Sequence, residues 1–193
     1  METSFHLFTD KGFARTTISD IVHEAGMAKG TFYLYFHDKY DLQEKLITHK
    51  AAQLLEHALH SSGYENYSRT DDRVIALTDD ILNQVNNDKK LLRFINKNIS
   101  WGLFRRFFSD TETDVLKEFI DILPPCDDPK RQEIIIYTII ELVSSTCYEV
   151  ILKGTPVDLE EYKPFLFHCI RTIINSLPDN TDPEAVPADV KGE

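Results

Sequence analysis

A chain of 193 residues, 42% hydrophobic and 11% aromatic, has enough apolar side chain to bury a domain-sized core, which excludes a disordered or low-complexity protein. Its net charge of −11 excludes general, nonspecific affinity for nucleic acid, because a phosphate polymer repels an acidic surface. That charge is uneven: residues 1–50 hold six Lys/Arg against seven Asp/Glu, whereas residues 51–193 hold fifteen against twenty-five, so a near-neutral head precedes an acidic body.

Phe5, Phe8 and Phe13 mark a first helix with little chain before it, which Gly12 can stop in the left-handed C′ position. Thr17, with Asp20 three residues on, reads as an N-cap and its N3 partner. Ile18, Ile21, Val22 and Ala25 follow at i, i+3, i+4 and i+7, one apolar face of a short helix that Gly26 ends. A second short helix is expected from about Ala28 to Phe36, and Asp38 with Asp41 opens a longer one through Leu59. Two short helices joined by a glycine turn, with one helix before and a long one after, describe a helix-turn-helix unit. Phe32 and Phe36 supply the buried stripe of its second helix. The start of that helix, "AKGT" at 28–31, stays small and polar, as entry into a major groove requires.

Residues 61–72, "SSGYENYSRTDD", are polar and aperiodic and read as a linker. Helices are expected at 72–86, at 88–108 with a break near Gly102, and at 112–123. Beyond "PPCDDPK", Asp128 as N-cap with Pro129 at N1 starts a helix to Lys153 that is apolar nearly all round. Its "IIIYTII" run has the β-branching of a strand, but the capped start, the unbroken length and Gly154 at the end favour helix. A last helix opens at Asp158 with Glu161 at N3 and carries Leu159, Phe165, Leu166, Ile170 and Ile174. Residues 178–193 read as a frayed tail. No strand or internal repeat emerges, and the chain is expected to be all-α.

Three separated cysteines (Cys126, Cys147, Cys169) without a CxxC suit a reducing compartment. No uninterrupted apolar run reaches the roughly 18 residues of a membrane span, so a cytoplasmic protein with no membrane partner is expected. No P-loop, dinucleotide fingerprint or Ser/His/Asp arrangement stands out, so neither an enzyme nor a cofactor is expected. His57 and His60, with Glu56 beside them, lack a further ligand at metal-binding spacing, and no metal is assigned.

The segment "LFTDKGFARTTISDIVHEAGMAKGTFYLYFHDKYDL" (7–42) resembles the DNA-binding head of the TetR family of bacterial transcriptional regulators. The Gly-Phe pair after the first helix, "TTISDI", the Ala-Gly turn and "KGTFYLYF" followed by "DKYDL" carry the resemblance. It implies a helix-turn-helix DNA-binding domain over 1–46, an α-helical ligand-binding and dimerisation domain over 47–177, and the tail 178–193. Operator DNA would meet Thr17, Lys29, Gly30, Thr31, Tyr33, Leu34, Tyr35 and Lys39, with Lys39 on a backbone phosphate. The family implies a homodimer through helices at about 129–153 and 159–176, which the broad apolar faces of both suit. Two departures stand out: Ala28 occupies a position usually held by Ser, and the first helix is short.

A small-molecule effector would bind the body. Phe94, Trp101, Phe104 and Phe108, beside Arg105 and Arg106, form one set of candidate wall residues; Tyr137, Glu141 and Tyr148 form another. For any one of these aromatics, core packing is favoured over a pocket wall. The function expected is a DNA-binding regulator, a repressor released from its operator by that ligand. The alternative is an interaction protein of the same fold that lost DNA binding and acts through a protein partner.

Overall fold

Two capping carboxylates fix where the head's helices begin. In the computed structural model, which describes residues 1–98, 114–123 and 129–175, Thr17 Oγ1 accepts from the Asp20 amide at 3.1 Å. The Asp20 carboxylate accepts in return from the Thr17 amide at 2.7 Å, a complete capping box for α2 (Ile18–Glu24). Before it, α1 (Glu2–His6) runs into a π-helical stretch, Leu7–Gly12, which ends with Gly12 at φ +90°. The Thr16 hydroxyl donates to the carbonyls of Gly12 (2.9 Å) and Leu7 (3.2 Å) and so closes this end, with Thr16 itself 1% exposed.

Gly26 makes the turn into α3 (Lys29–Tyr35) with φ +62°, where a side chain would be strained. Ala28 caps α3 with no side-chain hydrogen bond. Asp38 starts α4 (Lys39–Ser61) by accepting from the amides of Tyr40 and Asp41, each at 2.8 Å. The reciprocal bond differs from a capping box by one residue, because Asp41 accepts from the His37 amide at 2.8 Å. Helix α4 passes unbroken through 46/47, the boundary expected between head and body, so the two share one helix.

A 3₁₀ turn (Tyr64–Asn66) leads into α5 (Thr70–Asn87) and α6 (Lys89–Asn98), followed by α7 (Asp114–Ile122), α8 (Pro129–Lys153) and α9 (Leu159–Asn175). All described elements are helical. Asp128, Cys126, the second half of the helix expected at 88–108 and the tail 178–193 lie outside the described residues. Helix α5 packs on α4 and α9, α6 on α4 and α8, and α8 on α9. "IIIYTII" is helical as its flanks require: Ile135, Ile136 and Ile139 are buried and Ile134 is exposed. One apolar cluster extends from Phe5 and Phe32 in the head to Leu166 and Ile170 in α9.

The helix Lys130–Lys153 is long and apolar enough to cross a membrane, with a mean hydropathy of 1.6 over its most apolar window. Counting uninterrupted runs misses this helix, since a window average tolerates isolated polar residues that break a run. In this fold the helix lies against α6 and α9.

An ionic clasp joins α5 to α9. Asp71, 2% exposed, accepts from Arg69 (2.8 and 2.9 Å), Arg171 (2.8 Å) and Asn175 (3.1 Å), and Arg171 also reaches Asp72 at 2.7 Å. Hydrogen bonding from Arg69, reinforced by Asn175 and the charge of Arg171, holds the Asp71 carboxyl below the usual carboxylate range. Its lowered folded value makes the clasp's stabilisation complete above the ordinary Asp range near pH 4 and lost only as pH falls through that lowered value. Asp71→Asn is expected to destabilise by about 1–3 kcal/mol. Thermal melts should show a constant gap from wild type between pH 7 and about pH 4, closing only in stronger acid.

Candidate nucleic-acid interface and body cavity

The recognition element divides by burial. Phe32 is 1% exposed and anchors α3, packing edge-on with Tyr33 at 5.4 Å between ring centroids and tilted against Phe36 at 5.3 Å. Tyr33, Leu34 and Tyr35 are 51%, 80% and 65% exposed, and Lys29 and Gly30 also face solvent, with Thr31 half-buried. A Cβ added at Gly30 would meet nothing within 4 Å, so no packing inside this chain requires glycine there. The bare backbone leaves room for an external surface to approach α3.

The other two expected contacts are committed within the head. Thr17 Oγ1 donates to Asp20 at 2.8 Å as well as accepting from its amide. Lys11 salt-bridges the same carboxylate at 2.7 Å, and these bonds, that of Lys11 first, hold Asp20 well below the usual carboxylate range. Lys39 Nζ donates to the carbonyls of Phe13 and Thr16, each at 2.8 Å, and sits 4.3 Å from the Phe13 ring centroid. It therefore pins the first helix to α4, with one ammonium N–H left over.

Sequence reasoning passed over three neighbours. Tyr40, 65% exposed, packs edge-on against Phe13 at 5.1 Å, next in the chain to Lys39. Lys45 donates to the Tyr35 carbonyl at 3.0 Å, closing the end of α3, and pairs with Asp41 at 3.1 Å. Arg15 is exposed and, among the described residues, makes no ion pair, a condition it shares with Lys29 in the head. Lys11, Lys45 and Lys50 all have carboxylate partners. The spacing of "DKYDL" signals the helix start, but nothing in it reveals which cations are already engaged.

In the body, α4 to α8 line a partly open cavity of about 210 Å³. Its described walls are mostly aliphatic, from Leu54 and Leu55 through Leu77 and Ile81 to Ile140 and Val143, with Phe119 of α7 among them. Of the expected ligand residues that are described, none lines it. Phe94 turns to the head, edge-on to Phe5 at 5.3 Å, and lines a separate crevice with Phe8, Phe13 and Lys90. Tyr137 is 41% exposed, and Glu141 and Tyr148 are half-buried, about a quarter turn around α8 from the cavity wall. Trp101, Phe104 and Phe108 lie outside the described residues. The cavity walls escaped sequence reading because apolar residues at helical spacing look identical whether they close on a core or surround a void. Among the described residues, no group of three His, Cys, Asp or Glu is placed to hold a metal ion.

An N-terminal helix-turn-helix with an exposed second helix, continuous with an all-helical body, defines the class of helix-turn-helix proteins. Residues 1–46 match the family model for bacterial regulatory proteins of the tetR family. Two Bacillus subtilis (strain 168) relatives, both uncharacterized HTH-type transcriptional regulators, match part of the chain. YvdT is 41% identical over 58 residues, covering 28% of this chain and 30% of its own. YerO is 54% identical over 39 residues, covering 20% and 14%. The chain thus spans less than a third of the length of these curated relatives. A putative tetR family regulator from Shewanella sp. PV-4 superimposes with a TM-score of 0.67 at 16% identity, over 91% of this chain and 94% of that one. FadR from Bacillus subtilis, in complex with stearoyl-CoA, gives 0.59 at 16% identity over 92% and 97%. Thermus thermophilus FadR, a TetR family repressor in complex with lauroyl-CoA, gives 0.57 at 18% over 96% and 97%. At these identities the likeness establishes the whole-chain fold.

Proposed function

We propose that the protein is a dimeric, cytoplasmic DNA-binding transcriptional regulator, a repressor that a small-molecule effector releases from its operator. The observation that carries this reading is α3: Phe32 buried beneath it, Lys29, Tyr33, Leu34 and Tyr35 exposed upon it, within a TetR-family head. The head 1–46 contacts DNA, the body 47–177 binds effector and partner subunit, and 178–193 is the tail. Lys29, Gly30, Thr31, Tyr33, Leu34 and Tyr35 enter the major groove, and Thr17 and Lys39 sit at its phosphate edge. Two heads reach half-sites about 34–36 Å apart, one turn of DNA, or a multiple of it.

The dimer forms through α8 and α9. Ile134 and Tyr137 on α8 and Phe165 on α9 are 60%, 41% and 61% exposed, an apolar surface that a second copy covers as half of a four-helix bundle.

Helix α6 couples the body to the head. Leu92 and Ile95 line the cavity, while Lys90 salt-bridges Asp10 at 2.6 Å and Phe94 packs on Phe5. An effector that displaces α6 therefore moves α1, and with it the head's spacing. A coupling of about 1–3 kcal/mol suffices for a 5- to 150-fold change in operator affinity. The FadR neighbours, which hold acyl-CoA, support an effector with apolar character.

A protein-partner role has one observation in its favour: most head cations, including Lys39, already have partners inside the chain. A gel shift of the full chain on DNA upstream of its own gene, with unrelated DNA as competitor, tests the proposal. A specific shift supports the regulator; its absence favours the partner-binding reading.

A further inference from the structure

The body cavity is unusual in having almost nothing polar to offer. Among the described residues that line it none is charged, and the polar groups are Thr78, Ser144 and Cys147. The Thr78 hydroxyl already donates to the Val74 carbonyl at 2.8 Å, and that of Ser144 faces the Glu141 carbonyl at 3.4 Å. Burial pushes the Cys147 thiol up to about 11, so it stays neutral at physiological pH. A ligand that carried a carboxylate or several hydrogen-bonding groups into this space would lose its water without gaining partners.

We propose that the effector of this site is an uncharged hydrocarbon-like molecule, an alkylbenzene or similar compound of roughly eight to ten carbon atoms, bound without recognition of any headgroup. The size follows from the volume: an apolar cavity of about 150 Å³ accepts benzene, and this partly open one measures about 210 Å³. It falls below the roughly 300 Å³ at which pockets for drug-sized ligands begin, which favours a small occupant. The walls are contributed by five helices, α4 to α8, and include α6, whose other side meets the head. A molecule filling the void therefore packs directly against the helix that adjoins α1. This inference rests on the reading of the body as an effector domain and adds to it the class of the effector.

Isothermal titration of the full chain with n-butylbenzene, 4-phenylbutyrate at pH 7 and octanoyl-CoA tests the proposal. Butylbenzene should bind once per chain with a negative heat-capacity change. Phenylbutyrate, the same skeleton ending in a carboxylate, should bind at least about tenfold more weakly. Ala51→Leu and, separately, Ser144→Leu should each weaken it at least about tenfold by filling the space, with helical circular dichroism retained as the control for folding. Equal or tighter binding of phenylbutyrate or octanoyl-CoA overturns the proposal, as does no butylbenzene binding, or undiminished binding by both folded filling variants. The same preparation is assayed for operator binding. A retained specific shift alongside failed ligand binding removes only the effector class; a lost shift alone removes the regulator reading.

Discussion

Lys29→Ala combined with Tyr33→Ala is expected to abolish specific operator binding while leaving the thermal unfolding midpoint within about 1 °C of wild type, as exposed substitutions usually do. Both side chains are exposed, and Lys29 makes no ion pair among the described residues. A lost base contact costs about 1–3 kcal/mol, so removing one from each head of a dimer costs about 2–6 kcal/mol, or roughly 30-fold to 10⁴-fold in affinity. If Lys29 meets phosphate instead, the salt dependence should also flatten by about one unit per head. Lys39→Ala serves as the contrast. Its ammonium holds the carbonyls of Phe13 and Thr16, so its loss should lower the unfolding midpoint as well as weaken DNA binding. Fluorescence anisotropy on operator DNA, with melts of each variant, separates these outcomes. Unchanged affinity in the double variant would sink the assigned recognition surface.

Phe32→Ala should destabilise the head by about 3–5 kcal/mol, the usual cost of emptying a buried phenylalanine site. Phe32 is 1% exposed and belongs to the same buried cluster as Ile21, Val22, Leu42 and Leu46. The α2–α3 pair is short, each helix seven residues, and cannot hold its geometry without that anchor. Operator binding should vanish at physiological salt, while size-exclusion chromatography still reports the dimer, since α8 and α9 are untouched. Amide hydrogen exchange would show protection lost in 18–35 first; uniform loss across the chain would mean that the head is not a separable unit.

These expectations rest on features of unequal legibility. The capping box at Thr17, the Asp38 cap, the Pro129–Lys153 helix and the buried side of α3 were all readable, because caps and periodicity act within one or two helical turns. The π-helical stretch at Leu7–Gly12 had no local signal. Neither did the clasp at Asp71, whose partners Arg171 and Asn175 stand about a hundred positions away.

The amino-acid sequence by itself determined the all-helical class, the helix-turn-helix order and which residues of α3 turn outward. Those follow from hydrogen bonds and side-chain spacing between residues close in the chain. Only the tertiary structure decided that Lys39 turns inward to two carbonyls, that Phe94 packs on the head, and that the cavity walls are apolar residues drawn from five helices. The physical reason is common to all three. A helix's own pattern says which face is apolar, but what that face meets, whether a partner helix, a head or a void, depends on where distant helices come to rest.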